Sequence, residues 1–165
     1  FRLKTAPAFR VALEVGAALA GAEEAAREVL ARCSAAVGTA YQIRDDLDDF
    51  AEGVDPADAE AQRPSILLAI AWERAAGRQR GLIERAWLAE ADEAGRLSAV
   101  LEAVGARQAA TELMGGYRLE ALRTLHELDS PGLRGLLRRV IARILPPVAV
   151  ETGEGQAAAG GQSSA

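Results

Sequence analysis

The chain has 165 residues, of which half are hydrophobic and only 4% aromatic, and its formal net charge at pH 7 is -5. This length is enough for one domain with its own core, and the composition is typical of a helical protein packed with small aliphatic side chains. The acidic balance argues against nucleic acid as a partner, no apolar run reaches the roughly 18 to 20 residues that cross a bilayer, and a single cysteine excludes an intrachain disulfide.

The first predicted helix begins with Thr5 as its N-cap and ends at Gly21. Phe9, Leu13 and Ala17 follow one another at a spacing of four residues, which places them on one stripe of the helix. Small residues flank this stripe, so we expect a second helix to pack closely against it.

The second predicted helix spans residues 23–50 and would be about 42 Å long at about 1.5 Å per residue. Between residues 29 and 43 it is apolar on nearly every side, and Arg32 is its only charged residue there. A helix with this pattern is buried on several sides, so it is predicted to lie in the middle of a bundle. Cys33 within it is expected to be a buried, unreactive thiol.

The end of this helix, YQIRDDLDDF at residues 41–50, carries four carboxylates in five positions. Asp45 and Asp49 lie one turn apart and Asp46 and Asp49 are three residues apart, so three carboxylates are predicted to cluster at one spot. Oxygen ligands without histidine or cysteine suit Mg²⁺. A solvated acidic face is the alternative. Because the helix dipole disfavours negative charge at a C-terminal end, this position favours the cation site.

A polar loop at residues 52–62 follows, and Ser65, preceded by Arg63, opens a third helix that Gly77 ends. The remaining helices are predicted at residues 80–89, 92–104, 107–128 and 130–145. The tail from residue 151 is rich in glycine, alanine, serine and glutamine, and is expected to be disordered. We therefore expect an all-α domain at residues 1–147 and a disordered tail at residues 148–165.

Four sequence elements occur in a specific order: KTAPAF at residues 4–9, GAALAG at 16–21, Gly38, and YQIRDDLDD at 41–49. Together they resemble the trans-isoprenyl diphosphate synthases (polyprenyl synthetases), at the stretch that carries the second aspartate-rich motif of that family, DDxxD. The resemblance covers residues 3–145, is clear up to Ser65 and is looser beyond. It implies a helical bundle that forms the C-terminal part of an isoprenoid (terpenoid) synthase fold.

Because Phe1 is not a methionine and a family motif follows at once, we expect a C-terminal fragment of a longer protein.

The resemblance also implies a chemistry. Members of this family condense an allylic diphosphate with isopentenyl diphosphate, and Mg²⁺ ions clamp the leaving diphosphate between two aspartate-rich helices. By resemblance Asp45, Asp46 and Asp49 would hold Mg²⁺, whereas Asp48 falls outside the required positions of the motif. A cytoplasmic homodimer is expected, without a transmembrane segment.

Four further residues receive roles by the same resemblance. Lys4, the only lysine in the chain, would contact diphosphate oxygens, Thr5 would line the cavity, and Gln42 would hydrogen-bond the substrate near the developing cation. These three are the expected catalytic residues. Arg63, together with Ser65, stands where relatives place a Lys-x-Thr pair, so Arg63 is expected to bind substrate with Lys4 and Gln42.

Two departures from the family pattern leave two functions open. The chain does not contain the first DDxxD, and its loop after the second motif lacks the Gly-Lys of relatives. The first function is an active Mg²⁺-dependent prenyltransferase, and the second is a non-catalytic helical subunit or scaffold that keeps the fold. We expect Lys4 and Asp45 to face one cavity. We also expect the chain alone to be inactive and to expose apolar surface at residues 11–19 and 29–43.

Overall fold

The computed structural model of the protein describes residues 6–51, 65–87 and 94–147, and all regular secondary structure in these ranges is helical. This confirms the predicted all-α bundle. The helices, in chain order, are α1 (Ala6–Leu19), α2 (Glu24–Ala51), α3 (Ile66–Arg74), α4 (Arg78–Trp87), α5 (Ala94–Ala103), α6 (Ala106–Thr124) and α7 (Pro131–Ile144), and a 3₁₀ turn at Leu125–Glu127 follows α6.

Helices α1 and α2 form an antiparallel hairpin around the tight turn at Gly21. Gly21 has a φ of 63°, a left-handed conformation that glycine adopts without strain. Beside it the Ala22 N–H donates to the Ala17 carbonyl at 2.9 Å, which satisfies an acceptor at the end of α1. The predicted break at Gly21 is therefore correct, and it brings the start of α1 alongside the end of α2.

Helix α2 is the central helix of the bundle, as predicted. It packs against α1, α3, the 3₁₀ turn and, most extensively, α6. Cys33 on α2 is 2% exposed, in agreement with the expected buried thiol. Arg32 stays at the surface, where its guanidinium donates to the Glu127 carboxylate of the 3₁₀ turn.

The expected exposure of apolar surface is right for α1 and wrong for α2. Val11, Val15 and Leu19 of α1 are 58%, 53% and 86% exposed. The apolar side of α2 at residues 29–43 is instead covered, because α6 packs along it with buried small and flexible side chains. The buried residues on this part of α6 are Ala106, Ala110, Met114 and Ala121.

The helix boundaries agree with the predicted breaks, except at the end of α6. Positive-φ glycines at Gly77 and Gly105 separate α3 from α4 and α5 from α6, where breaks were predicted. Helix α6 ends at Thr124, four residues earlier than expected, because the chain tightens into the 3₁₀ turn.

Within the described ranges, none of the helices combines the length and apolarity that a membrane span requires. The tail predicted at residues 148–165 lies outside the described residues.

Candidate functional site

The site begins where the first turns of α1 meet the last third of α2. The ring centroids of Phe9 and Tyr41 are 5.7 Å apart, with the ring planes tilted by 59°. Phe9 follows Lys4 by five residues, and Tyr41 precedes Asp45 by four. This contact therefore holds the beginning of α1 next to the aspartate segment of α2. Lys4 and Thr5 themselves lie outside the described residues.

Arg44 is the cation inside the aspartate segment. Its guanidinium stacks on the Tyr41 ring at 4.3 Å from the centroid. Its Nη2 lies 3.4 Å from Oδ1 of Asp45, and its Nε lies 3.5 Å from Oδ2 of Asp48. One arginine thus compensates two of the four carboxylates. No role for Arg44 was predicted from the sequence, although its position directly before the aspartates in QIRDDLDD indicates one.

The C-terminal end of α7 is fixed against the same segment. Nη1 of Arg44 donates to the carbonyl oxygen of Ile144, and Nε of Arg118 on α6 donates to the carbonyl oxygen of Leu145 at 2.8 Å. Arginines at a helix C-terminus satisfy otherwise unpaired carbonyls and oppose the negative end of the dipole. The last turn of α7 is therefore held beside the aspartates from two other helices.

Asp46 is buried and lies against the start of α3. It is 9% exposed, and its Oδ2 accepts the backbone N–H of Ile66 at 2.7 Å. Burial raises the pKa of Asp46, and hydrogen bonds from the Ile66 backbone and from the Gln42 and Ser65 side chains partly offset this rise. Gln42, predicted to face substrate, is thus hydrogen-bonded to Asp46 one turn later on the same helix.

Asp45 and Asp49 are left as the outward carboxylates of the motif. The Asp45 side chain is 34% exposed, and Asp49 is exposed one turn further on. Burial raises the pKa of Asp45, the neighbouring Arg44 opposes this rise, and the charges of Asp49 and Asp48 add to it. The charge of Asp49 also raises the pKa of Asp46, so Asp49 is an electrostatic neighbour of both residues.

The predicted cluster of three carboxylates does not form in the described part of the chain. Among those residues no three carboxylate, histidine or cysteine side chains lie close enough to hold a metal ion together. Asp46 is instead engaged by the start of α3, where its Oδ2 accepts the Ile66 N–H at 2.7 Å. The carboxylates at this C-terminal helix end also do not need a cation to offset the helix dipole, because Arg44 and the start of α3 supply compensation that the local sequence did not reveal.

The remaining donor set still suits a magnesium ion that is shared with a ligand. Mg²⁺ typically takes one or two carboxylates from the protein and completes its octahedron with phosphate oxygens and water. Asp45 and Asp49 provide two carboxylates, and neither histidine nor cysteine competes in the segment. Arg63, the expected substrate-binding residue, lies outside the described residues.

Three solved structures share this architecture. Geranylgeranyl pyrophosphate synthase from Corynebacterium glutamicum, complexed with isoprenyl diphosphate and magnesium, is 26% identical with a TM-score of 0.74, over 87% of this chain and 44% of that one. The geranylgeranyl pyrophosphate synthase from Lactobacillus brevis is 24% identical with a TM-score of 0.73, over 86% and 46%. A polyprenyl synthase from Roseobacter denitrificans is 25% identical with a TM-score of 0.78, over 87% and 49%.

The chain therefore spans less than half the length of these structural relatives. Among curated proteins no sequence matches it. The family model of the polyprenyl synthetases matches residues 1–104, which include α1, α2 and the aspartate segment. On this match and this fold, the chain belongs to the polyprenyl synthetase family.

Proposed function

We propose that the complete protein is a Mg²⁺-dependent prenyltransferase that condenses an allylic diphosphate with isopentenyl diphosphate. In this proposal the chain supplies the second of the two carboxylate helices that hold the diphosphate. The observation that carries it is the outward pair Asp45 and Asp49 at the end of the buried helix α2, beside the start of α1. Membership of the polyprenyl synthetase family supports the same reaction class.

A diphosphate leaves an allylic carbon only when its negative charge is neutralised, and bound Mg²⁺ supplies this neutralisation. Asp45 and Asp49 would hold the ion from the protein side, with Arg44 orienting the Asp45 carboxylate from 3.4 Å. Asp46 stays an expected ligand only by resemblance, because its Oδ2 accepts the Ile66 N–H.

Lys4 would contact the diphosphate oxygens from the α1 side, and Thr5 would line the cavity. Phe9 touches Tyr41, and Lys4 precedes Phe9 by five residues in the sequence. A separation of the Lys4 Nζ and Asp45 carboxylate well beyond about 15 Å in the intact fold would contradict a shared diphosphate.

Gln42 would direct its side-chain carbonyl oxygen to the developing cation, because the Asp46 carboxylate accepts the N–H of the Gln42 amide.

The test is product formation by the complete gene product with Mg²⁺, labelled isopentenyl diphosphate and an allylic diphosphate. Asp45→Ala should lower turnover by on the order of 100-fold, as for other groups that stabilise developing charge. Asp48→Asn is the matched control on the same turn and should retain turnover within a few-fold, because Asp48 falls outside the motif. Unimpaired turnover in Asp45→Ala, or no product from the wild type, would overturn the proposal.

The alternative function, a non-catalytic helical subunit that keeps the fold, is favoured by one observation. Arg44 and the start of α3 compensate three of the four carboxylates without a metal ion. For such a subunit, the complete protein would give no product and no Mg²⁺ binding in the presence of a diphosphate. It would nevertheless bind and stabilise an active relative in a pull-down and activity assay.

By family resemblance we further propose that the complete protein is a cytoplasmic homodimer. The exposed apolar stripe Val11, Val15 and Leu19 on α1 supports this proposal, because contiguous apolar surface is a feature of protein interfaces. Sedimentation equilibrium of the complete gene product measures this state directly, and a monomer at micromolar concentration would exclude the homodimer.

A further inference from the structure

Asp46 differs from the other carboxylates of its segment in direction and in burial. Asp45 and Asp49 face outward, whereas Asp46 is 9% exposed and lies against the first residue of another helix. The sequence DDLDD does not distinguish these residues by type. Their environments do, because the fold brings the first residue of α3 against Asp46.

The partner of Asp46 is the N-terminus of α3. The first N–H groups of a helix have no acceptor within the helix and must find one elsewhere. Ser65, the N-cap, accepts the Leu67 N–H through its hydroxyl oxygen at 3.2 Å, and Asp46 accepts the Ile66 N–H at 2.7 Å. A carboxylate at this end of a helix is also favoured by the helix dipole. Asp46 therefore works as a second cap of α3, supplied from α2.

This contact joins two helices at residues that are distant in the sequence. Asp46 and Ile66 are 20 residues apart, and their hydrogen bond fixes the return of the chain at the end of α2. Gln42 is tied to the same carboxylate from one turn earlier. One side chain thus links the start of α3 to a candidate substrate-binding residue of α2.

We infer that Asp46 is a positioning residue and not a metal ligand. It joins α2 to the start of α3 and orients Gln42, while Asp45 and Asp49 alone hold the metal. The catalytic part of this inference rests on the proposed function, whereas the anchoring of α3 stands on the geometry alone.

The experiment compares Asp46→Asn, Asp46→Ala and Asp45→Asn in the complete gene product. An asparagine at position 46 keeps a carbonyl oxygen that can accept the Ile66 N–H, but it provides a far poorer Mg²⁺ ligand than a carboxylate. Three quantities are measured: amide hydrogen exchange at Ile66 and Leu67, the thermal unfolding midpoint, and Mg²⁺-dependent binding of a non-hydrolysable allylic diphosphate analogue by calorimetry.

For a positioning residue, Asp46→Ala should accelerate Ile66 exchange at least about tenfold and lower the unfolding midpoint by about 5 °C. Asp46→Asn should restore most of both and should bind the analogue within about threefold of wild type. Asp45→Asn should leave exchange and midpoint unchanged but weaken Mg²⁺-dependent binding at least about tenfold.

Two results would overturn the inference. One is unchanged Ile66 exchange in Asp46→Ala, which would mean that the carboxylate does not anchor α3. The other is an Asp46→Asn protein with normal exchange and midpoint but with the binding loss of Asp45→Asn, which would make Asp46 a ligand. If the wild type binds no analogue with Mg²⁺, the proposed function fails, and the exchange and unfolding data still decide the anchoring role.

Discussion

Each carboxylate of the aspartate segment has its own environment, and the sequence indicated only part of it. The spacing correctly placed all four on the last turns of one helix, and it identified Asp45 and Asp49 as neighbours. It could not reveal that Asp46 accepts a hydrogen bond from Ile66, because that partner is 20 residues away and is brought near only by the fold. Long-range partners of this kind are outside the reach of helical periodicity.

The outward pair leads to a prediction about the order of binding. Two carboxylates supply too few ligands for Mg²⁺, so Asp45 and Asp49 should bind it appreciably only when a diphosphate completes the shell. Titration calorimetry of the complete gene product should detect strong Mg²⁺ binding with a non-hydrolysable allylic diphosphate analogue and little without it. Equal Mg²⁺ affinity in both titrations, or undiminished affinity in Asp45→Ala, would contradict this.

Cys33 gives a prediction for thiol chemistry and alkaline stability. Burial raises the pKa of the Cys33 thiol, and a hydrogen bond with Thr124 offsets only part of the rise. The folded state therefore holds the thiol proton to higher pH than the unfolded state, so the free energy of unfolding should fall as pH rises above about 9. Ellman's reagent should react slowly with the native protein at pH 8 and rapidly in denaturant.

The control for this prediction is Cys33→Ala. That variant starts from a lower stability because it leaves a small cavity, but it should lack the part of the alkaline slope that the thiol causes. An identical slope above pH 9 in both proteins would show that Cys33 is not the titrating group.

At the scale of the elements, the helix breaks were predictable because they depend on local chemistry. Gly21, Gly77 and Gly105 all adopt positive φ at the breaks, a conformation for which glycine is the default residue. The covering of α2 by α6 was not predictable, because an apolar stretch predicts burial without naming the partner. Alanine-rich α6 gave only a weak apolar pattern, although Ala106, Ala110 and Ala121 are completely buried.

The packing of α6 on α2 can be tested by comparing a substitution on the buried face of α6 with one on its exposed face. Ala110 is fully buried, so Ala110→Leu should overpack the core and lower the free energy of unfolding by about 1–3 kcal/mol. Gly116 is exposed in the same helix, and a Cβ there would meet nothing within 4 Å. Gly116→Ala should therefore raise the free energy by about 0.5–1 kcal/mol through helix propensity. Denaturant unfolding measures both, and a neutral Ala110→Leu would show a loosely packed interface.

At the scale of the whole molecule, the chain should act as half of a catalytic site. In the proposed mechanism two carboxylate helices neutralise the leaving diphosphate, and the sequence of this chain contains one aspartate-rich motif. We therefore expect no product from the 165-residue chain alone with Mg²⁺ and both diphosphates, even if the complete gene product is active. Product from the chain alone would contradict the two-sided clamp.

The isolated chain should also self-associate through α1. Val11, Val15 and Leu19 form an exposed apolar stripe, and such stripes favour association in water. Light scattering should report oligomers at micromolar concentration, and Val15→Gln with Leu19→Gln should reduce them without changing the helical circular dichroism signal. Leu136→Gln, an exposed leucine on α7, is the matched control.

Arg44 joins the aspartate segment to α7 through a single guanidinium. Its Nη1 donates to the Ile144 carbonyl, its Nη2 lies 3.4 Å from Oδ1 of Asp45, and its Nε lies 3.5 Å from Oδ2 of Asp48. Because these nitrogens share one rigid plane, the contact with α7 fixes the orientation in which the guanidinium meets the two carboxylates. Loss of the last turn of α7 should therefore change how completely Asp45 and Asp48 are neutralised, although Ile144 and Arg44 are 100 residues apart in the sequence.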